Sequence, residues 1–180
     1  TAQIMQRLEP EFTNSDPNVV VVYGDVNSTL AAALVASKLG ITIAHVEAGL
    51  RSFDRTMPEE INRVVTDALS DLLFIHSPEA RVNLNNEGVS GERIYDCGNV
   101  MIDTLVKLLP QADFKPISQR FGITPKQYVA VTLHRPALVD DPYRLLEILA
   151  SLSRISESVP VVFPVHPRTR NRIAETHKMG

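Results

Sequence analysis

Short apolar runs alternate with longer amphipathic stretches along this chain. Val19–Tyr23 is an unbroken, β-branched run between the turn-forming Ser15-Asp16-Pro17-Asn18 and Gly24-Asp25, and predicts a strand buried on both faces. Ala- and Leu-rich residues from Ser28 to Leu39 predict a helix, with Asn27 or Ser28 as N-cap and Gly40 in the C′ position. Ile41–His45 gives a second strand. Pro58 then opens a helix whose Ile61, Val64, Val65, Ala68 and Leu69 fall on one stripe, and Leu72–Ile75 gives a third strand. A helix over Pro78–Asn86, a strand over Ile94–Asp96 and a helix over Val100–Leu108 continue the alternation expected of a parallel sheet covered on both faces.

Residues 110–126 break this rhythm with three prolines, mixed charge and a short candidate helix at Ser118–Phe121, so they read as an interdomain connection. The expected division is therefore 1–109, a linker over 110–126, and a second unit over 127–180. That second unit holds a strand at Tyr128–Leu133 and a helix capped by Asp140-Asp141-Pro142 with Leu145, Ile148, Leu149, Leu152 and Ile155 inside. A strand at Val161–Val165 and a final helix running toward Gly180 complete it. It carries too little apolar area to stand alone. The chain begins at Thr1 without an initiator Met, and we expect a fragment.

Composition narrows the classes. Of 180 residues, 44% are hydrophobic and 22% charged, which is a globular balance and not a disordered one. A net charge of −3 gives no basic field for a phosphate polymer and argues against nucleic-acid binding, while leaving small anionic ligands open. No stretch approaches the roughly 20 apolar residues that span a bilayer, so no membrane partner is expected. The lone Cys97 makes no internal disulfide, fits a reducing cytoplasm and reads as a small buried apolar residue.

Ligands of open α/β sheets bind beyond the carboxyl ends of the strands. The residues at those ends here are polar: Asp25, His45 with Glu47, His76 with Ser77, Cys97–Asn99, His134 with Arg135, and His166. Each also has a plainer reading. Asp25 can cap the helix at Asn27, and Glu59 and Glu60 suit the positive end of a helix dipole. His45 reads as a satisfied core histidine. Glu47 differs, because a carboxylate after a buried strand is expensive to bury unpaired and this one has no capping duty. His134-Arg135 suits anion binding at a sheet edge. Neither G-x-G-x-x-G nor G-x-x-x-x-G-K-[ST] occurs, there is no G-x-S-x-G, and the histidines at 45, 76, 134, 166 and 177 lack H-E-x-x-H spacing. Nicotinamide redox chemistry and a zinc site are thereby disfavoured.

Read together, Gly24-Asp25-Val26-Asn27-Ser28-Thr29, His45-Val46-Glu47-Ala48-Gly49-Leu50-Arg51 and Pro58-Glu59-Glu60-Ile61-Asn62-Arg63 resemble the non-hydrolysing UDP-N-acetylglucosamine 2-epimerases. The likeness continues through Gly98-Asn99 with Asp103, Thr132-Leu133-His134-Arg135 and Pro164-Val165-His166-Pro167. The resemblance implies an α/β fold of Rossmann-like parallel sheets in a GT-B-type two-domain architecture, here truncated at both ends. It also implies interconversion of UDP-GlcNAc and UDP-ManNAc, by elimination of UDP to a 2-acetamidoglucal and re-addition after the C2 configuration has changed. It assigns catalytic importance to Asp25, Glu47, Glu59 and His134 and substrate binding to Arg135, Arg51 and His166. Arg51 has an alternative in pairing with a neighbouring carboxylate. No metal or other cofactor is implied, and the intact protein is expected to be a cytoplasmic homodimer whose ligands are the two UDP-sugars and UDP.

The chemistry suits these residue types. The C2 proton has no adjacent carbonyl to acidify it, so its removal is coupled to C1–O cleavage, and reprotonation comes from the opposite face. At least two placed acid/base groups are therefore required, and the sequence leaves open which carboxylate serves as base. It departs from the family at Pro136-Ala137-Leu138-Val139-Asp140, where Leu138 stands at the usual Asn. A hydrolysing relative, a non-catalytic UDP-sugar sensor and a glycosyltransferase of similar fold are the alternatives. The isolated 180 residues are expected to be inactive.

Overall fold

The computed structural model describes residues 1–176, which fall into two compact units divided between Pro110 and Gln111. The predicted end of the last helix near Gly180, and His177, lie outside the described residues.

The first unit runs α1 (Ala2–Ser15), β1 (Val19–Tyr23), α2 (Asn27–Lys38), β2 (Thr42–Val46), α3 (Pro58–Leu69), β3 (Leu72–Ile75), α4 (Pro78–Asn86), β4 (Ile94–Asp96) and α5 (Val100–Leu108). Its four strands are parallel and lie in chain order, β1-β2-β3-β4. Val22, His45, Leu73 and Ile94 stand side by side across the sheet. They share a face with Val20, Ile43 and Ile75, and that face is where α2 packs through Ala33 and Ala36 and α4 through Ala80 and Leu84. Right-handed crossovers between strands that advance in one direction place α2, α3 and α4 on the same side. The sheet is accordingly covered on one face, not on two as the apolar runs suggested. Val19, Val21, Tyr23 and Tyr95 are exposed on the other face, and β1 alternates exposed and buried.

Further differences from expectation are local. Helix α1 was not anticipated, because Pro10 sits inside it and interrupts a pattern in which Ile4, Leu8 and Phe12 recur every four residues. Helix α2 begins at Asn27 with Val26 as its N-cap and without a side-chain cap bond. Gly40 does take the left-handed conformation, at φ +72. Cys97 is exposed just beyond the end of β4, the edge strand of the sheet, and its thiol donates to the Ile75 carbonyl at 3.4 Å.

The second unit contains α6 (Lys115–Phe121), β5 (Val129–Ala130), α7 (Pro136–Val139), α8 (Pro142–Ser156), β6 (Val161–Val162) and α9 (Pro167–Thr176). Both strands are shorter than their apolar runs, because ladder bonds form only where the two meet. Leu133, Val139 and Leu145 form its core, with Ile148, Leu149, Phe163 and Ile173 packed against them. Asp141 caps α8 by accepting from the Tyr143 and Arg144 amides. Residues 111–126, read in sequence as a connection, pack into this unit: Ile123 is buried and Phe114 stacks on Tyr128 with ring centroids 5.6 Å apart.

Candidate active site

Within the first unit, the turns that follow β1 and β2 lie side by side at the carboxyl edge of the sheet. The Gly24 amide donates to the Val46 carbonyl at 3.0 Å, so pairing of β1 with β2 extends one residue into the turn that carries Asp25. Glu47 closes the second turn at φ +75, a left-handed conformation uncommon for a residue with a side chain. Its amide and that of Ala48 both donate to the Phe74 carbonyl at 3.1 Å, which holds the turn onto β3. A Cβ added at Gly24 would lie 3.5 Å from the Glu47 Oε2, so the carboxylate reaches back over the Gly24-Asp25 turn. Backbone strain kept at such a point is a sign of function, and here it sits on the residue judged hardest to explain structurally.

The Asp25 carboxylate does not cap α2. Its Oδ2 accepts a fork from Arg63, at 3.0 Å from Nε and 2.6 Å from the terminal nitrogen. Asn62 donates to the Asp25 carbonyl at 2.8 Å and to the Asn27 Oδ1 at 3.2 Å, fixing the same turn. Arg63 also donates to Glu60 Oε2 at 2.8 Å. Glu60 in turn accepts from the Ser52 amide and hydroxyl and from the Phe53 amide, at 2.9 to 3.0 Å. Burial alone would raise the Glu60 carboxyl. The Ser52 and Phe53 amides, Arg63 and the Ser52 hydroxyl outweigh that and hold it at about 2. Burial likewise pushes the Arg63 guanidinium down, and Glu60 and Asp25 more than restore it.

A second network lies beneath the turns. His45 is fully buried, with Nδ1 2.6 Å from Asp67 Oδ1 and Nε2 2.9 Å from the Gly24 carbonyl. It is a core histidine with both nitrogens partnered. Asp67 Oδ2 accepts from the Gly49 amide at 3.0 Å and from Arg51 at 2.7 Å. Arg51 then forks onto Glu87 at 2.7 and 2.6 Å and donates to the Leu50 carbonyl. Burial lowers the Arg51 guanidinium, and Glu87 and Asp67 reverse the shift and raise it. Its side chain is 1% exposed, so the alternative weighed for Arg51, pairing with neighbouring carboxylates, is what the structure displays. Glu59 lies exposed in the first turn of α3, one residue from the buried Glu60.

In the second unit, His134 and His166 follow the two strand segments at one edge, with ring centroids 6.2 Å apart. The Thr169 hydroxyl donates to the Leu133 carbonyl at 2.6 Å and ties α9 to the residue before His134. Arg135 is exposed at the N-terminus of α7. The segment that departs at Leu138 ends in Asp140, which accepts from Arg168 and Arg172 of α9. The structure thus brings Asp25 and Glu47 together in one unit, and His134 and His166 together in the other.

Sequence reasoning passed over Asn62, Arg63 and Asp67, and weighed Glu60 only for its place at the helix dipole. The signal was their spacing on α3: Glu60, Arg63 and Asp67 recur at intervals of three and four and so share a helix face turned toward the two turns.

The family model for UDP-N-acetylglucosamine 2-epimerase matches residues 1–179. The chain is 46% identical over 173 residues to a UDP-N-acetylglucosamine 2-epimerase homolog of Methanococcus maripaludis, covering 94% of this chain and 47% of the relative. It is 45% identical over 177 residues to a UDP-2,3-diacetamido-2,3-dideoxy-D-glucuronate 2-epimerase of Pseudomonas aeruginosa, covering 96% and 49%. The solved UDP-GlcNAc 2-epimerase of Methanocaldococcus jannaschii, in complex with UDP-GlcNAc and UDP, superposes with a TM-score of 0.88 at 41% identity, covering 99% of this chain and 50% of that one. The chain therefore spans about half the length of the relatives it matches.

Proposed function

Because the chain belongs to the UDP-N-acetylglucosamine 2-epimerase family, we propose that the full-length protein interconverts UDP-GlcNAc and UDP-ManNAc without hydrolysis. UDP is eliminated to give a 2-acetamidoglucal and then adds back. The observation that carries this reading is the Glu47 carboxylate, held on a strained backbone over the turn of Asp25. Two carboxylates so placed meet the demand for one group that removes the C2 proton and another that returns it to the opposite face.

Asp25, Glu47 and Glu59 act on the sugar in this proposal, and Arg63 orients Asp25 through its two donors on Oδ2. His134 stabilises the charge that develops on the departing diphosphate, with Arg135 and His166 as binding groups in the nucleotide-holding unit of a GT-B-type enzyme. Arg51 contributes by positioning, since its donors are engaged by Asp67, Glu87 and the Leu50 carbonyl. No metal or nicotinamide takes part, and the protein works as a cytoplasmic homodimer.

The Pseudomonas aeruginosa relative supports a second reading of the substrate, in which the sugar is a UDP-linked 2,3-diacetamido glucuronate and the 2-epimerisation is the same. Incubating the full-length protein with each nucleotide sugar in deuterated water separates the possibilities. We expect C2-deuterated UDP-GlcNAc and UDP-ManNAc to be recovered with UDP still attached. Free ManNAc in their place would show a hydrolysing enzyme. Turnover confined to the diacetamido sugar would move the substrate, and absence of C2 deuterium in both would remove the reaction.

A further inference from the structure

Building on the functional reading above, we propose that His45 is a positioning residue, which with Asp67 forms a buried clamp between the turn carrying Asp25 and the turn carrying Glu47. The ring bonds the Gly24 carbonyl, directly before Asp25, at 2.9 Å. On its other side it bonds Asp67, whose second oxygen accepts from the Gly49 amide, two residues after Glu47, at 3.0 Å. One imidazole and one carboxylate therefore connect peptide groups of both turns. Glu47 is held from its N-terminal side by the Phe74 carbonyl and from its C-terminal side by Asp67.

Hydrogen placement follows from the partners. The Gly24 carbonyl only accepts, so Nε2 carries a hydrogen and donates it. Nδ1 and Asp67 Oδ1 are 2.6 Å apart, a distance at which two facing lone pairs repel, so a hydrogen lies between them. A planar ring with nitrogens on opposite sides can serve both turns at once, and few other side chains of this size can. The Gly49 amide and the buried Arg51, itself held by the exposed Glu87, give Asp67 two further donors, so it does not turn away from the ring.

The clamp acts on catalysis through placement, and displacement of a reacting group by about 1 Å can lower a rate roughly 10²-fold. Two variants of the full-length protein separate this from a merely structural role. His45→Phe keeps the volume and removes both bonds; we expect kcat to fall roughly 10- to 100-fold with KM for the nucleotide sugar little changed. Asp67→Asn keeps an acceptor for Gly49 and Arg51 and an NH2 donor for Nδ1 but gives up the charge paired with Arg51, so kcat should fall less than in His45→Phe, with KM again little changed. A folded His45→Phe protein with wild-type kcat overturns the proposal, as does an Asp67→Asn protein impaired as deeply as His45→Phe. Should His45→Phe fail to fold, ring 15N NMR of the wild-type protein decides. A hydrogen on Nε2 together with slow exchange of the Gly49 amide supports the clamp, and a bare Nε2 contradicts it. These spectra do not depend on turnover, so a wild-type protein that fails to exchange the C2 proton would remove the reaction and leave the clamp standing.

Discussion

Glu47 and Gly49 show how two neighbouring residues meet opposite demands in one turn. Glu47 holds φ +75 despite its side chain, and strain of this kind persists only where surrounding bonds over-determine the backbone. Gly49 holds φ +78 where only glycine fits, because an added Cβ would lie 2.6 Å from the Ala80 carbonyl oxygen at the start of α4. The clash is with backbone, which cannot swing aside. Gly49→Ala should therefore destabilise the protein by about 2 kcal/mol or more, from the left-handed penalty and the overpacking together. Chemical denaturation checks this. A ΔΔG below about 0.5 kcal/mol, the range of ordinary surface substitutions, would mean that the turn relaxes freely.

Helix α3 organises the candidate site more than any other element. Pro58 starts it, and its inward face presents Glu60, Asn62, Arg63 and Asp67 to the two turns and to the 52–53 loop. Glu60 links helix and loop, and its folded-state value of about 2 lies below the 4.5 of a free side chain. A depressed carboxyl adds stability that is complete above the unfolded value and fades as pH falls through the folded one. The difference in stability between wild type and Glu60→Gln should accordingly be constant above about pH 5 and shrink between about 4.5 and 2. Urea titrations at several pH values measure it, and a difference that grows on acidification would contradict the assignment. The stripe of Ile61, Val64, Val65, Ala68 and Leu69 made α3 legible in sequence and its start at Pro58 was placed correctly, yet that stripe is only half-buried, with Ile61 and Ala68 exposed, and the residues α3 buries are the polar Glu60, Asn62, Thr66 and Asp67. The buried polar face was not legible, since apolar periodicity is silent on which charged and amide side chains find partners and can be buried. The 16- to 38-residue separations between partners such as Arg51 and Asp67, or Asp25 and Arg63, are closed only by folding.

Two parallel sheets joined in one chain were readable from the alternation of strand and helix, as was the concentration of polar residues at strand ends. Coverage was not readable. A run such as Val19–Tyr23 looks the same whether one face or both are packed, and only the strand order shows that α2, α3 and α4 share one side. The opposite side leaves Val19, Val21, Tyr23 and Tyr95 exposed, and α5 exposes Ile102, Leu105, Val106 and Leu108. Apolar patches this extensive bind hydrophobic probes. Residues 1–180 expressed alone should strongly enhance the fluorescence of an anilinonaphthalene dye and self-associate in sedimentation. A monomer that leaves the dye dark would show that these faces are covered within the chain itself.

Glu47 and Asp25, gathered at one sheet edge from turns after different strands, are the pair on which proton transfer at C2 depends. Wash-in of deuterium at C2 of UDP-GlcNAc, measured for full-length wild type and Glu47→Gln alongside UDP affinity, isolates that step. Glu47→Gln keeps the shape and removes the proton acceptor, so wash-in should fall by roughly two orders of magnitude or more, the contribution of a placed acid or base, with UDP affinity little changed. Wash-in at the wild-type rate, or a loss of UDP affinity as large as the loss of wash-in, would contradict it.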